Sequence, residues 1–128
     1  MNGAATIFVK HLERMASFYA LCFGLRSDAD ATGDYRVLES ASWTLFIVRV
    51  PEAAAASIEL TDPPTPRTAT PIKLSFDVAS IAEARATIAD WGGRVDDHEW
   101  EFRGFRHCDF VDPEGNVNQL REPVSAMA

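Results

Sequence analysis

Long apolar runs are missing from this chain of 128 residues. No stretch approaches the roughly 20 residues that a membrane-spanning helix needs, so no membrane partner is expected. Cysteine is scarce: Cys22 and Cys108 are the only two, with no Cys-x-x-Cys spacing. Two such residues exclude a disulfide framework and point to reduced thiols. Basic residues are also in deficit, with 12 Lys and Arg against 19 Asp and Glu and a net charge of −7. Phosphate backbones are bound by an excess of cations, so nucleic acid is not an expected partner. A cationic ligand would suit the balance, although acidity often serves solubility alone. The nucleophile elbow, the P-loop and the dinucleotide-binding glycine pattern are all absent. Met1 to Ala5 carry neither a basic region nor an apolar core, so export is not expected and the cytoplasm is the expected compartment.

Strand and helix signals fill the rest. Thr6 to Val9 are β-branched and aromatic, the composition of a first strand. From His11 the period changes: Leu12, Met15, Ala16, Tyr19 and Cys22 share one helix face, and Gly24 closes the helix. Leu25 to Thr32, Tyr35 to Ser40 and Trp43 to Val50 read as three strands, with Gly33-Asp34 as a hairpin signal. Ala53 to Ala56 carry little information, and Ile58 to Leu60 suit a short extended piece. Asp62 to Pro71 hold four prolines in ten residues, which excludes a helix or a central strand.

Beyond those prolines the order recurs. Ile72 to Val78 alternate with period 2, setting Lys73, Ser75 and Asp77 against Leu74, Phe76 and Val78. Ser80 and Glu83 have the form of a capping box opening a second helix, whose stripe is Ile81, Ala84, Ile88 and Trp91. Arg94 to Phe102, Phe105 to Val111 and Val117 to Glu122 complete three more strands. The last begins behind the turn Asp112-Pro113-Glu114-Gly115-Asn116. Val9 to Gly24 and Val78 to Gly93 are each 15 residues apart, so the two strand-helix units are in register. The expected fold is α+β: a first βαβββ module over 1–61, a Pro-rich linker over 62–71, a second module over 72–122 and a tail over 123–128.

Two segments carry a family likeness. Phe8-Val9-Lys10-His11-Leu12 through Phe18-Tyr19, with Phe23-Gly24-Leu25, resembles the opening of vicinal-oxygen-chelate (VOC) proteins. Asp112 to Asn116 with Gln119-Leu120-Arg121-Glu122 resembles their final strand. This superfamily unites glyoxalase I, bleomycin- and fosfomycin-resistance proteins and extradiol dioxygenases. The resemblance implies two βαβββ modules forming a curled mixed sheet around one cleft, and a homodimer. It leaves the activity open, since one fold here carries many chemistries.

Catalytic members bind a divalent metal through His and Glu. The resemblance places those ligands at Ala4 or Ala5, at Lys73, at Gln119 and among Leu45, Phe46 and Ile47. Methyl groups and an ammonium offer no lone pair, and an amide oxygen is a poor substitute for carboxylate. A cleft without a metal or other cofactor is the expectation. Its walls would use Lys73, Ser75, Asp77, Gln119 and Arg121 as polar groups. Phe8, Trp43, Trp100, Phe102 and Phe105 would supply aromatic surface for a small organic ligand. The expected function is drug binding of the bleomycin-resistance type, a contribution to antibiotic resistance. The alternative is a glyoxalase- or dioxygenase-type metalloenzyme, holding Zn, Mn or Fe through His98, His107 and Glu101 or neighbouring acids. A metal-free enzyme using Lys73 or Asp77 as acid or base is a third reading. Cys108 and His107 are no nucleophile-base pair, because consecutive strand residues face opposite ways.

Overall fold

A computed structural model describes residues 3–28 and 33–124 of the chain. They divide into two compact units, Met1–Thr61 and Asp62–Ala128. In the first, β1 (Gly3–Val9), α1 (Leu12–Phe23), β2 (Arg26–Ser27), β3 (Tyr35–Glu39) and β4 (Trp43–Arg49) are followed by the one-turn helix α2 (Glu52–Ala55). The second holds β5 (Ser75–Asp77), α3 (Ile81–Asp90), β6 (Arg94–Phe102), β7 (Phe105–Val111) and β8 (Val117–Pro123). Each unit is a four-stranded mixed sheet of the same topology, β1-β4-β3-β2 and β5-β8-β7-β6, with one parallel pair at its edge. The α+β class and the βαβββ repeat are therefore as the sequence predicts.

Helix α1 buries Leu12, Met15, Ala16, Phe18 and Tyr19 against the sheet face that carries Val9, Leu38, Leu45 and Ile47. Gly24 ends it in the left-handed conformation, its N–H returning to the Ala20 carbonyl. Helix α3 sets Ile81, Ala84 and Ile88 over Phe76, Val95, Phe110 and Leu120. Ser80 Oγ accepts the Glu83 N–H at 3.1 Å, one half of the expected capping box. The carboxylate of Glu122, reaching from β8, accepts the Ile81 N–H at 2.6 Å. A second orphan donor of the helix N-terminus is thus satisfied from the sheet.

Several expected boundaries move. The second strand shrinks from Leu25–Thr32 to Arg26–Ser27, an edge pairing of two residues, while 29–32 lie outside the described residues. Strand β5 is Ser75–Asp77 rather than Ile72–Val78: it pairs with β8 alone, and before it the Leu74 N–H goes to the Asn118 side chain at 3.0 Å instead of to a backbone carbonyl. Ile58 to Leu60 form no strand, and Ala53 to Ala55 join a helical turn. Trp91 is not part of the buried stripe: it is the residue that closes α3 and stays 44% exposed. Pro123 and Val124 are no loose tail, since β8 runs through Pro123 and the Val124 N–H donates to the Gly104 carbonyl at 2.9 Å. Residues 125–128 lie outside the described residues.

The Asp112 turn docks the Pro-rich segment. Asp112 is fully buried, and its carboxylate accepts the backbone N–H groups of Glu114 and Asn116 at 2.9 Å and the Asn116 side chain at 2.7 Å. Gly115 takes φ +88°, and a Cβ there would stand 2.3 Å from the Thr65 carbonyl oxygen. Only glycine lets the two backbones approach so closely. The Arg67 N–H donates to the Gly115 carbonyl at 2.7 Å, pinning the segment down.

Candidate functional site

In the second unit, α3 covers one sheet face and leaves the other open. Alternation puts Lys73, Ser75 and Asp77, then Val117, Gln119 and Arg121, then Phe105, His107 and Asp109, then His98, Trp100 and Phe102 on that open face. Strand pairing aligns Ser75, Gln119 and Asp109 in one row and Asp77, Arg121, His107 and Trp100 in the next.

The side chains join within and between these rows. Lys73 Nζ donates to both carboxylate oxygens of Asp109 at 2.9 Å. Ser75 Oγ donates to Gln119 Oε1 at 3.3 Å, and the same amide meets His107 Nδ1 at 2.9 Å. His107 is buried, with Nε2 at 3.2 Å from the Phe102 carbonyl oxygen. An amide has a donor end and an acceptor end, so Gln119 can answer either tautomer of the ring. Arg121 forks onto Asp77 at 2.7 and 3.2 Å and lies 4.0 Å from the centre of the Phe105 ring. The Asp77 carboxylate holds the Arg121 guanidinium more firmly in its charged form than usual. Trp100 is sandwiched between His98 and His107, each ring stacked at 5.6 Å.

The sequence-predicted residues of this unit, Lys73, Ser75, Asp77, Trp100, Phe105, Gln119 and Arg121, therefore share one face. Trp43 and Phe8 belong to the first unit. There Phe8 is 63% exposed on the open face, whereas Trp43 shares the strand parity of Leu45 and Ile47, the face that α1 packs against. What alternation could not supply is cross-strand partners, so Asp109 and His107 were not expected beside Lys73 and Gln119. Cys108 faces α3's side, where its thiol donates to the Asp96 carbonyl at 3.0 Å, away from His107.

A family description, glyoxalase-like domain, matches residues 4–120. The chain belongs to this family. Within the VOC superfamily, solved structures share the fold of this glyoxalase-like chain at low identity. A glyoxalase/bleomycin resistance protein/dioxygenase family enzyme from Burkholderia phytofirmans PsJN is 19% identical, with a TM-score of 0.71 over 94% of this chain and 96% of that one. A glyoxalase/bleomycin resistance protein from Albidiferax ferrireducens T118 is 19% identical, with a TM-score of 0.65 over 95% and 97%. The fosfomycin resistance protein FosX from Listeria monocytogenes is 16% identical, with a TM-score of 0.64 over 100% and 94%. No curated protein matches the chain.

The residues at the family's ligand positions do not fit a divalent metal. Ala4 and Ala5 have no donor atom, and Phe46, which pairs with Thr6, has none. Lys73 brings a positive charge already neutralised by Asp109. Gln119 offers one neutral oxygen, engaged by Ser75 and His107. The alternative set fares no better. His98 and His107 are separated by Trp100, and Glu101 lies on the opposite strand face, 3.7 Å from Arg106. Among the described residues no three His, Cys, Asp or Glu side chains converge. No helix is long and apolar enough to cross a membrane.

Proposed function

We propose that this protein binds a small organic molecule on the open face of its second sheet without a metal or other cofactor, in the manner of a drug-sequestering protein. The observation that carries the reading is the pairing of Lys73 with Asp109 and of Gln119 with Ser75 and His107. At two positions where catalytic relatives hold metal ligands, this chain has a cation and an amide tied into a prewired polar surface. Sequestration needs shape, stacking and hydrogen bonding, and Trp100, Phe102 and Phe105 supply aromatic area beside those polar groups. The bleomycin- and fosfomycin-resistance proteins among its structural relatives favour an antibiotic-like ligand. Lys73 and Asp77 are each held by an opposite charge at 2.7–2.9 Å, which favours binding over acid-base catalysis.

The test is thermal stabilisation by a panel of small aromatic and antibiotic-like molecules, run with and without EDTA. Stabilisation that survives EDTA, without turnover of the ligand, supports the reading; stabilisation that appears only on adding Mn²⁺ or Zn²⁺ overturns it. We extend the reading to a cytoplasmic homodimer. Light scattering should then return twice the 14.1 kDa chain mass.

A further inference from the structure

We propose that a recess at the Lys73 end of this face binds the anionic group of a small organic acid, with Arg67 as its anchoring cation. The inference rests on the small-molecule reading above and names the ligand's class. The recess encloses about 330 Å³, at the lower end of the usual range for small-ligand sites. Its lining includes Lys73 and Asp109, whose charges cancel across a 2.9 Å ion pair. The remaining charge in its lining is Arg67, half-buried. Among the described residues, no acid or carbonyl engages the Arg67 guanidinium.

A partly desolvated guanidinium with no acceptor among the described residues is unusual, because its five donors normally find acceptors. Thr68 and Thr70 also line the recess, and a hydroxyl is a donor suited to carboxylate or phosphate oxygens. Ile72 and Val117 add apolar surface for the organic part of a ligand. Arg67 has only its side chain left to order on binding. Its backbone is fixed by the 2.7 Å hydrogen bond to Gly115 and by the bridge to Asn116. A cation on an anchored backbone loses less conformational freedom when it pairs than one on a free loop.

Three probes of one shape separate the possibilities: benzoate, benzamide and benzamidine, which are anionic, neutral and cationic. Each would be titrated calorimetrically into the wild-type chain, Arg67→Gln and the control Arg26→Gln, whose exposed arginine belongs to the first unit. Benzoate should bind the wild type and the control alike, at least roughly tenfold more tightly than benzamide, and lose about tenfold with Arg67→Gln. Thr70→Val should weaken it further without changing the melting temperature, and added NaCl should weaken it throughout. Equal affinity for all three probes, or benzoate binding indifferent to Arg67→Gln, would overturn the anion site while leaving small-molecule binding intact. Failure of the wild type to bind any probe or any member of the wider panel would remove both.

Discussion

Position 73 carries an ammonium whose Nζ lies 2.9 Å from both oxygens of Asp109, with the two side chains 41% and 26% exposed. A pair so accessible to solvent contributes about 0–1 kcal/mol to stability. Lys73→Met should therefore leave the melting temperature within a few degrees of wild type while weakening ligand affinity on this face, as paired thermal-shift and titration measurements would show. The two thiols make a different residue-scale prediction. Burial pushes the Cys22 thiol from 9.0 up to about 12, and raises that of Cys108 as well. A folded-state value above the unfolded one means that the thiol's contribution to stability is complete below pH 9.0 and is lost as pH rises toward about 12. Thermal melts from pH 8 to 11 should show Cys22→Ala declining less steeply than wild type. The buried Cys108 thiol should react with a disulfide reagent quickly only after unfolding.

At the scale of elements, the turn Asp112 to Asn116 is a structural clamp for the Pro-rich segment. Gly115→Ala would drive a Cβ to within 2.3 Å of the Thr65 carbonyl and strain a backbone at φ +88°. A loss of about 2 kcal/mol or more is expected in denaturant unfolding, together with weaker binding in the recess that the segment walls. Glu122→Ala removes the acceptor of the Ile81 N–H and should cost about 1 kcal/mol, the usual worth of a helix N-terminal cap. Elements were legible in proportion to how local their signals are. Strands β6 and β7 have the bounds expected from alternation, Arg94–Phe102 and Phe105–Val111. The two-residue β2 and the three-residue β5 are edge strands, set by one neighbour rather than by their own pattern. Glu122 was legible as a family residue, but its role at the α3 N-terminus depends on a contact across 41 residues.

For the molecule as a whole, the Val9–Gly24 and Val78–Gly93 spacing exposed the duplicated architecture because strand-helix geometry repeats even where side chains do not. The face that carries Lys73, Ser75, Asp77, Gln119 and Arg121 was equally accessible, since parity follows from counting along a strand. Its wiring was not. Register decides which residues stand opposite one another, and only the folded sheet brings Asp109 and His107 to Lys73 and Gln119. Arg67 is hard to read in the sequence because it sits among prolines that resemble a spacer, and a lone cation between Pro66 and Thr68 is the one signal that marks it.

Metal-independent binding is the central claim, and direct metal titration tests it most sharply. Protein purified without chelator would undergo elemental analysis, then be stripped with EDTA, dialysed and titrated with Zn²⁺, Mn²⁺ and Fe²⁺. The donor set at Ala4, Lys73, Phe46 and Gln119 predicts no stoichiometric metal and no saturable one-to-one binding in the micromolar range. One equivalent of tightly bound metal, lost on stripping and recovered on titration, would contradict it.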